Sequence, residues 1–353
     1  MSIILEAHVA NELRDVFTFP VYTNSPSHDA NALQLHHKVD LISTLGGDGT
    51  ILRASALFAA SLTVPPILSF SMGTLGFLGE WKFKEYKRAF REVYMSGAGA
   101  EYDGFLERNE AQKSAQDAST GTAEVESTPL PAAWPSLRGK YMGQSRNSRV
   151  LLRNRLKIGV FSPAGARMNS DGSSTSADSD THAMNEIIIH RGRDPHLAVV
   201  EVFVGGRFLT EAVADGMIIS TPTGSTAYSL SSGGSIVHPL VSSLLLTPIC
   251  PRSLSFRPLV LPGNTPITLR LSEKNRGREV EVSVDGVRRS QGLGVGMEVR
   301  VVGEEVRDAS GAWIGGVPSI VRRSGGAHSG GEDSWVGGLN GLLKFNYPFG
   351  EET

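Results

Sequence analysis

Asp40-Leu41-Ile42-Ser43-Thr44 runs directly into Leu45-Gly46-Gly47-Asp48-Gly49-Thr50, and a helical pattern follows to Ala60. The apolar run predicts a strand over 40–45, and the residues after it a helix over 50–60. Glycines without Cβ atoms let the backbone turn sharply and lie close to a bulky anion. The N-terminus of the following helix favours negative charge. Strand, glycine turn and helix together make a phosphate cradle from Gly46, Gly47, Gly49 and Thr50. Asp48 stands out in it, because a carboxylate repels phosphate and so is expected to do chemistry or hold a metal. The plainer alternative is an ordinary turn in which Asp48 caps the helix.

Around this turn, residues 2 to 100 alternate short apolar runs with helical patterns. Strands are expected at 2–5, 40–45 and 66–70, and helices at 9–16, 50–60 and 83–95. That alternation predicts an α/β domain with a parallel, Rossmann-like sheet over 1–107, whose ligands bind at the carboxyl ends of strands. Residues 108–148 are polar and aperiodic, and 163–181 are rich in Ser, Gly and Asp; both read as disordered or loop insertions. From 149 to 320 short β-branched runs recur between turn signals such as Gly205-Gly206 and Asp285-Gly286, which predicts an all-β second domain. A polar linker, 321–334, leads to an apolar tail, 335–353, expected to pack back on the first domain.

At 353 residues the chain can hold two domains. Its formal net charge of −2 argues against a dedicated nucleic-acid binder, and no apolar run approaches the roughly 20 residues that span a bilayer. The single cysteine, Cys250, excludes an intrachain disulfide and fits a reducing compartment. The nine histidines show no metal-ligand spacing, and His36, His37 and His182 read as surface or helix-end residues.

Three further stretches carry polar chemistry. Ser71-Met72-Gly73-Thr74-Leu75-Gly76-Phe77-Leu78 follows a strand; Gly73 and Gly76 either let a ligand approach or simply make a turn with Leu75 and Phe77 in the core. Asn185-Glu186 opens an apolar strand and suits the reading of hydroxyls, since the carboxylate accepts while the amide donates and accepts. A solvent-facing strand start is the alternative there. Ala214-Asp215-Gly216 leads through Met217-Ile218-Ile219 to the run Ser220 to Gly234, whose small hydroxyls and Tyr228 ring could surround a polar ligand.

Taken in order, these motifs resemble the NAD kinase family. The resemblance covers Leu45–Thr50, Asn185-Glu186, Asp215-Gly216 with Thr221–Gly234, Ser253–Pro258 and Asp285-Gly286. The stretch from Thr247 to Pro258 and the tail from Trp335 to Asn346 look like the fungal mitochondrial NADH kinase branch. The resemblance implies an α/β domain followed by a β-sandwich, with a dinucleotide bound between them. The implied reaction moves the γ-phosphoryl of ATP to the adenosine ribose 2′-hydroxyl of NAD⁺ or NADH, in NADP biosynthesis. It implies that Asp48 is the general base and that Mg²⁺ or another divalent cation helps hold the triphosphate. It assigns Gly73, Phe77, Asn185, Glu186, Asp215, Thr223, Thr226, Ala227, Tyr228, Ser231 and Asp285 to dinucleotide binding. A homodimer or homotetramer in the mitochondrial matrix is implied as well, with no nucleic-acid or membrane partner; the cytoplasm is the alternative location. The family opens with another strand and helix, expected to lie upstream of Met1 together with a presequence. A lipid kinase of the diacylglycerol or sphingosine type shares the Gly-Gly-Asp-Gly turn, and a non-catalytic dinucleotide binder is a further alternative.

Overall fold

The computed structural model describes residues 2–13, 15–24, 35–73, 76–79, 81–96, 148–168, 180–306 and 314–322, with 335, 339, 342 and 343 of the tail. The expected insertion 108–148 lies outside them apart from Ser148, as do the middle of 163–181, the linker after Arg322 and most of the tail. The chain divides into two compact units, Met1–Leu35 and His36–Thr353. In the first, β1 (Ile3–Glu6) and β2 (Val21–Asn24) pair in parallel around α1 (Ala7–Glu12). This is the strand-and-helix start that the sequence predicts, with one more strand. A short helix, α2 (Leu35–Lys38), follows.

The second unit opens on the sheet that carries the glycine turn. Its order is β3-β4-β20-β6, built from β3 (Ile42–Leu45), β4 (Ile67–Ser71), β6 (Arg149–Arg153) and β20 (Val317–Val321); β5 (Trp81–Lys82) pairs with β4. β3, β4 and β5 run parallel, whereas β6 runs antiparallel to β20. The sequence reading placed 149–320 wholly in the β domain. The pairing instead puts its first and last strands in the α/β sheet. α4 (Tyr86–Ser96) covers one face, seating Ala89 and Val93 against Leu68, Phe70 and Trp81.

The remaining strands form two stacked antiparallel sheets. One runs β11-β10-β15-β19-β7-β8, from β7 (Leu156–Phe161), β8 (Thr181–Ala183), β10 (Ala198–Val204), β11 (Arg207–Ala214), β15 (Ile267–Leu271) and β19 (Glu298–Gly303). The other runs β14-β13-β12-β9-β16-β17, from β9 (Glu186–His190), β12 (Gly216–Ser220), β13 (Ser243–Ile249), β14 (Leu259–Pro262), β16 (Glu279–Val284) and β17 (Val287–Arg288), with β18 (Leu293–Gly294) on β16. Alternate residues of both sheets point inward. Val200 and Val202, Leu269 and Leu271, Ile187 and Ile189, Met217 and Ile219 meet in one core. Each such side chain contributes about 1.5–3 kcal/mol on burial. This is the α/β-plus-sandwich architecture that the sequence predicts. At the start of the tail the Trp335 ring meets His238, in the loop before β13, edge-on at 4.7 Å.

Candidate active site

The helix after the glycine turn, α3, spans Asp48–Ala56 and so starts at Asp48, two residues before the expected Thr50. Its N-cap is Gly47, and no side chain caps it. Asp48 is therefore not the cap that the plainer reading supposed. Its carboxylate reaches the second glycine stretch, where the Phe77 and Leu78 N–H groups donate to Oδ2 and Oδ1 at 2.9 and 3.1 Å. Gly76 is required by this approach, since a Cβ there would lie 2.2 Å from Asp48 Oδ1. Gly46 is required in the same way, because a Cβ there would lie 2.3 Å from Thr50 Oγ1. Gly47, Gly49 and Gly73 have open space beside them. A carboxylate offers about four lone-pair sites, so two amides fix Asp48 and leave others free to accept a proton. The Thr50 N–H turns back to Gly47 O at 3.0 Å, while the first two amides of α3 precede any helical acceptor and suit an anion.

Asn185 and Glu186 sit at the start of β9, 7% and 6% exposed. The Asp285 carboxylate, from the turn joining β16 to β17, holds their backbone. It accepts the N–H groups of Met184 (2.7 Å), Asn185 (2.7 Å) and Glu186 (3.1 Å), and Asp285 N–H returns a bond to Glu186 O at 3.0 Å. The turn places both Asp285 and Gly286 at positive φ, 46° and 78°, the geometry of a two-residue hairpin loop. With their backbone fixed, Asn185 Oδ1 and Glu186 Oε2 are buried without a hydrogen-bond partner. Buried polar atoms left this way point to a ligand.

The loop from Thr221 closes over this pair. Thr221 N–H donates to Asn185 O at 2.9 Å and its hydroxyl to Met184 O at 2.6 Å. Gly224 packs so closely that a Cβ would lie 2.3 Å from Asn185 O. Ser225 and Ser229 are turned inward and bond to Pro222 O and Thr247 Oγ1. Thr223, expected to touch the ligand, is also turned inward; it is 4% exposed and accepts from Arg153 at 3.5 Å. Thr226 and Ala227 are half-buried, while Tyr228, 40% exposed, and Ser231 lie on the open side of α5 (Tyr228–Ser231). The signal for Thr221, Ser225 and Ser229 was present as small hydroxyls in an apolar setting, but only the fold separates builders from contacts.

Asp215 does not join this group within the chain. β12 pairs with β9 so that Ser220 faces Glu186 and Gly216 faces His190. Asp215 thus leaves the opposite end of the strand, about 17 Å away at ~3.4 Å per residue, and pairs with Arg191 Nε at 2.5 Å. His182, read as a surface or helix-end residue, is instead buried on β8 and bonds through Nδ1 to Ala59 O.

Burial lifts the Glu186 carboxyl from 4.5 to about 7, and repulsion from Asp285 adds to the shift. Burial also raises Asp285, against the pull of its three amide donors. The unfolded chain releases the Glu186 proton near 4.5 and the folded chain near 7, so folding loses stability as pH rises across that window and levels off above it. The loss amounts to at most about 3 kcal/mol. Melting temperatures of the ligand-free protein from pH 5 to 8 should fall accordingly, and Glu186→Gln should remove most of that fall.

Among the described residues no three His, Cys, Asp or Glu side chains converge on a metal site. A divalent cation at the turn would draw its oxygens mainly from phosphate and water, with Asp48 the nearby carboxylate, a donor set that suits Mg²⁺.

Comparison with known proteins places the chain in a family. The model of the ATP-NAD kinase N-terminal domain matches residues 7–98, and that of the C-terminal domain matches 184–302. The mitochondrial NADH kinase pos5 of Schizosaccharomyces pombe is 41% identical over 316 residues, covering 89% of this chain and 61% of that protein. The mitochondrial NADH kinase POS5 of Saccharomyces cerevisiae is 34% identical over 377 residues, covering 99% of this chain and 74% of that protein. The crystal structure of yeast NADH kinase complexed with NADH superposes with a TM-score of 0.67 at 33% identity, over 100% of this chain and 81% of that one. An NAD kinase from Archaeoglobus fulgidus, solved with ATP, shares the fold at a TM-score of 0.50 and 18% identity, over 91% of this chain and 92% of that one. With both domain models matched in order, and with fungal relatives this similar, the chain belongs to the NAD kinase family, on its fungal NADH kinase branch.

Proposed function

We infer that this protein is an NAD(H) kinase, which transfers the γ-phosphoryl group of ATP to the 2′-hydroxyl of the adenosine ribose in NAD⁺ or NADH. The observation that carries the reading is Asp48, a carboxylate at the N-terminus of α3 that two amides hold in place beside the glycine turn. In this reading Asp48 accepts the hydroxyl proton as the oxygen attacks phosphorus, the usual work of a positioned base. Gly47 and Gly49 present backbone donors and Thr50 its hydroxyl to the triphosphate, while Gly46, whose N–H donates to Phe70 O at 2.9 Å, lets the turn come close. Asn185 and Glu186 meet the adenosine hydroxyls or base edge with their unpartnered oxygens, and Thr226, Ala227, Tyr228 and Ser231 line the pocket beside them. Gly73 and Phe77 approach the substrate from the segment that also holds Asp48. Mg²⁺, when bound, neutralises charge on the triphosphate.

A mitochondrial site of action and a homodimer or homotetramer belong to the same proposal, supported by the relatives' names for the location and by resemblance for the assembly. The test is direct. Purified protein given ATP, Mg²⁺ and either NAD⁺ or NADH should form NADP⁺ or NADPH, and the ratio of the two rates sets the redox preference. Phosphorylation of a diacylglycerol instead, or dinucleotide binding without turnover, would remove the reading.

A further inference from the structure

Arg155 is 1% exposed, yet the phosphoryl-transfer chemistry just described makes no use of it. It sits just before β7 and has two sets of partners. Toward the sandwich it grips Glu304, with Nε 2.7 Å from Oε2 and a second guanidinium nitrogen on Oε1. Toward α3 it donates to three carbonyls, Phe58 O at 3.2 Å, Ser61 O at 3.0 Å and Leu62 O at 2.9 Å. Glu304 is held in turn by the Gly316 N–H at 2.8 Å, and its own N–H donates to Arg155 O at 2.9 Å. His182 adds its backbone N–H and ring Nδ1–H to the carbonyl between these, Ala59 O, at 2.9 and 2.8 Å.

Phe58 and Ala59 lie in the turn that ends α3, and Ser61 and Leu62 just beyond it. A planar guanidinium fixes several acceptors at once, and here it anchors the segment into which α3 runs. Asp48 lies at the other end of the same helix. α3 itself buries only Ile51 and Ser55, so packing along its length gives it little hold. A helix of 9 residues is about 13 Å long. A tilt of ten degrees at the gripped end would therefore move Asp48 by roughly 2 Å. Misplacement by about 1 Å can cost on the order of a hundredfold in rate.

We propose that Arg155 is a positioning residue for phosphoryl transfer, which acts through α3 to hold Asp48 against the 76–78 turn. The kinetic arm of its test rests on the kinase reading; the exchange arm does not. Arg155→Met removes the grip, and Arg155→Lys keeps the charge while losing the fork. In the full chain, kcat should fall about 100-fold in the first and about 10-fold in the second, with KM for the dinucleotide changed less than about twofold. Amide hydrogen exchange at Phe77 and Leu78, whose N–H groups Asp48 accepts, should speed up in both variants. Exchange at Ile218 and Leu246 in the sandwich should not change. If Arg155→Met does not fold, Arg155→Lys carries the test alone. A folded Arg155→Lys with wild-type kcat, or with exchange at Phe77 and Leu78 unchanged, overturns the proposal. So does a fall in kcat that comes with a matching rise in KM and faster exchange throughout the sandwich. A wild-type protein that makes no NADP(H) would remove the kinase reading, while the exchange result would still decide whether Arg155 holds the turn.

Discussion

Asp48→Asn should lower kcat for NADP(H) formation by about 10³-fold, within the range of 10²–10⁴ ascribed to a general base. Dinucleotide affinity measured by titration should stay close to wild type, since the Asn185 and Glu186 backbone is held by Asp285 and not by Asp48. The substitution also touches the turn. An amide keeps one acceptor oxygen, but its NH₂ then faces either the Phe77 or the Leu78 N–H, so one of two bonds is lost. A purely structural Asp48 would therefore give a modest loss of stability and a modest loss of rate. Asp48→Glu separates the cases further. It keeps the carboxylate, but Gly76 lies so close behind Asp48 that an added methylene has no room there. The longer side chain must point elsewhere, and activity should be as low as in Asp48→Asn despite the retained charge. An Asp48→Asn protein with kcat within tenfold of wild type would sink the assignment of base.

What the sequence reveals about this site divides along physical lines. The glycine turn was legible because strand, turn and helix are adjacent in the chain, and each leaves a local mark. Even there the helix begins earlier than its propensities suggest, since Gly49 weakens the pattern while the N-terminal position of Asp48 restores it. β9, β10 and β15 are among the short β-branched runs of 149–320 that read as strands, and burial alternates along β10 and β15 as a sandwich strand leads one to expect. Long-range partners left no such mark. Arg155 and Glu304 are 149 residues apart, and Asp285 is 100 from Asn185. Nothing local in either partner announces the other. β6 and β20 were assigned to the sandwich for the same reason, because strand character says nothing of which sheet a strand joins. Asp215 is close in sequence to the Thr221–Ser231 loop but not close in space within the chain. An extended strand of 5 residues is a spacer, and it carries Asp215 to Arg191 at the far end of the sheet.

The largest effect on stability is expected at Asp285. Removing its carboxylate leaves the Met184, Asn185 and Glu186 N–H groups without their acceptor in a buried place. A buried donor without a partner costs about 1–3 kcal/mol, so three of them, partly relieved by entering water, should cost about 3–5 kcal/mol. The choice of variant matters because Asp285 has φ 46°, a conformation that side chains with a Cβ adopt at some cost. Asp285→Ala would mix backbone strain with the lost acceptor. Asp285→Gly accepts the same φ freely and so reports the acceptor alone. Urea unfolding should show Asp285→Gly destabilised by most of that amount and Asp285→Ala by about 1 kcal/mol more. Asp285→Asn should lie between Asp285→Gly and wild type, since it tolerates the turn and keeps one acceptor oxygen. The loss should also appear in substrate binding, as a KM for the dinucleotide raised severalfold, because the same amides fix the backbone under Asn185 and Glu186. A second consequence separates charge from geometry. The Asp285 carboxylate is one of the two causes that raise the Glu186 carboxyl to about 7. In Asp285→Asn that repulsion is gone while the turn remains, so the pH at which Glu186 titrates should move down toward its ordinary range. If it stays near 7 in a folded Asp285→Asn protein, burial alone sets it, and Asp285 holds the site only through its hydrogen bonds.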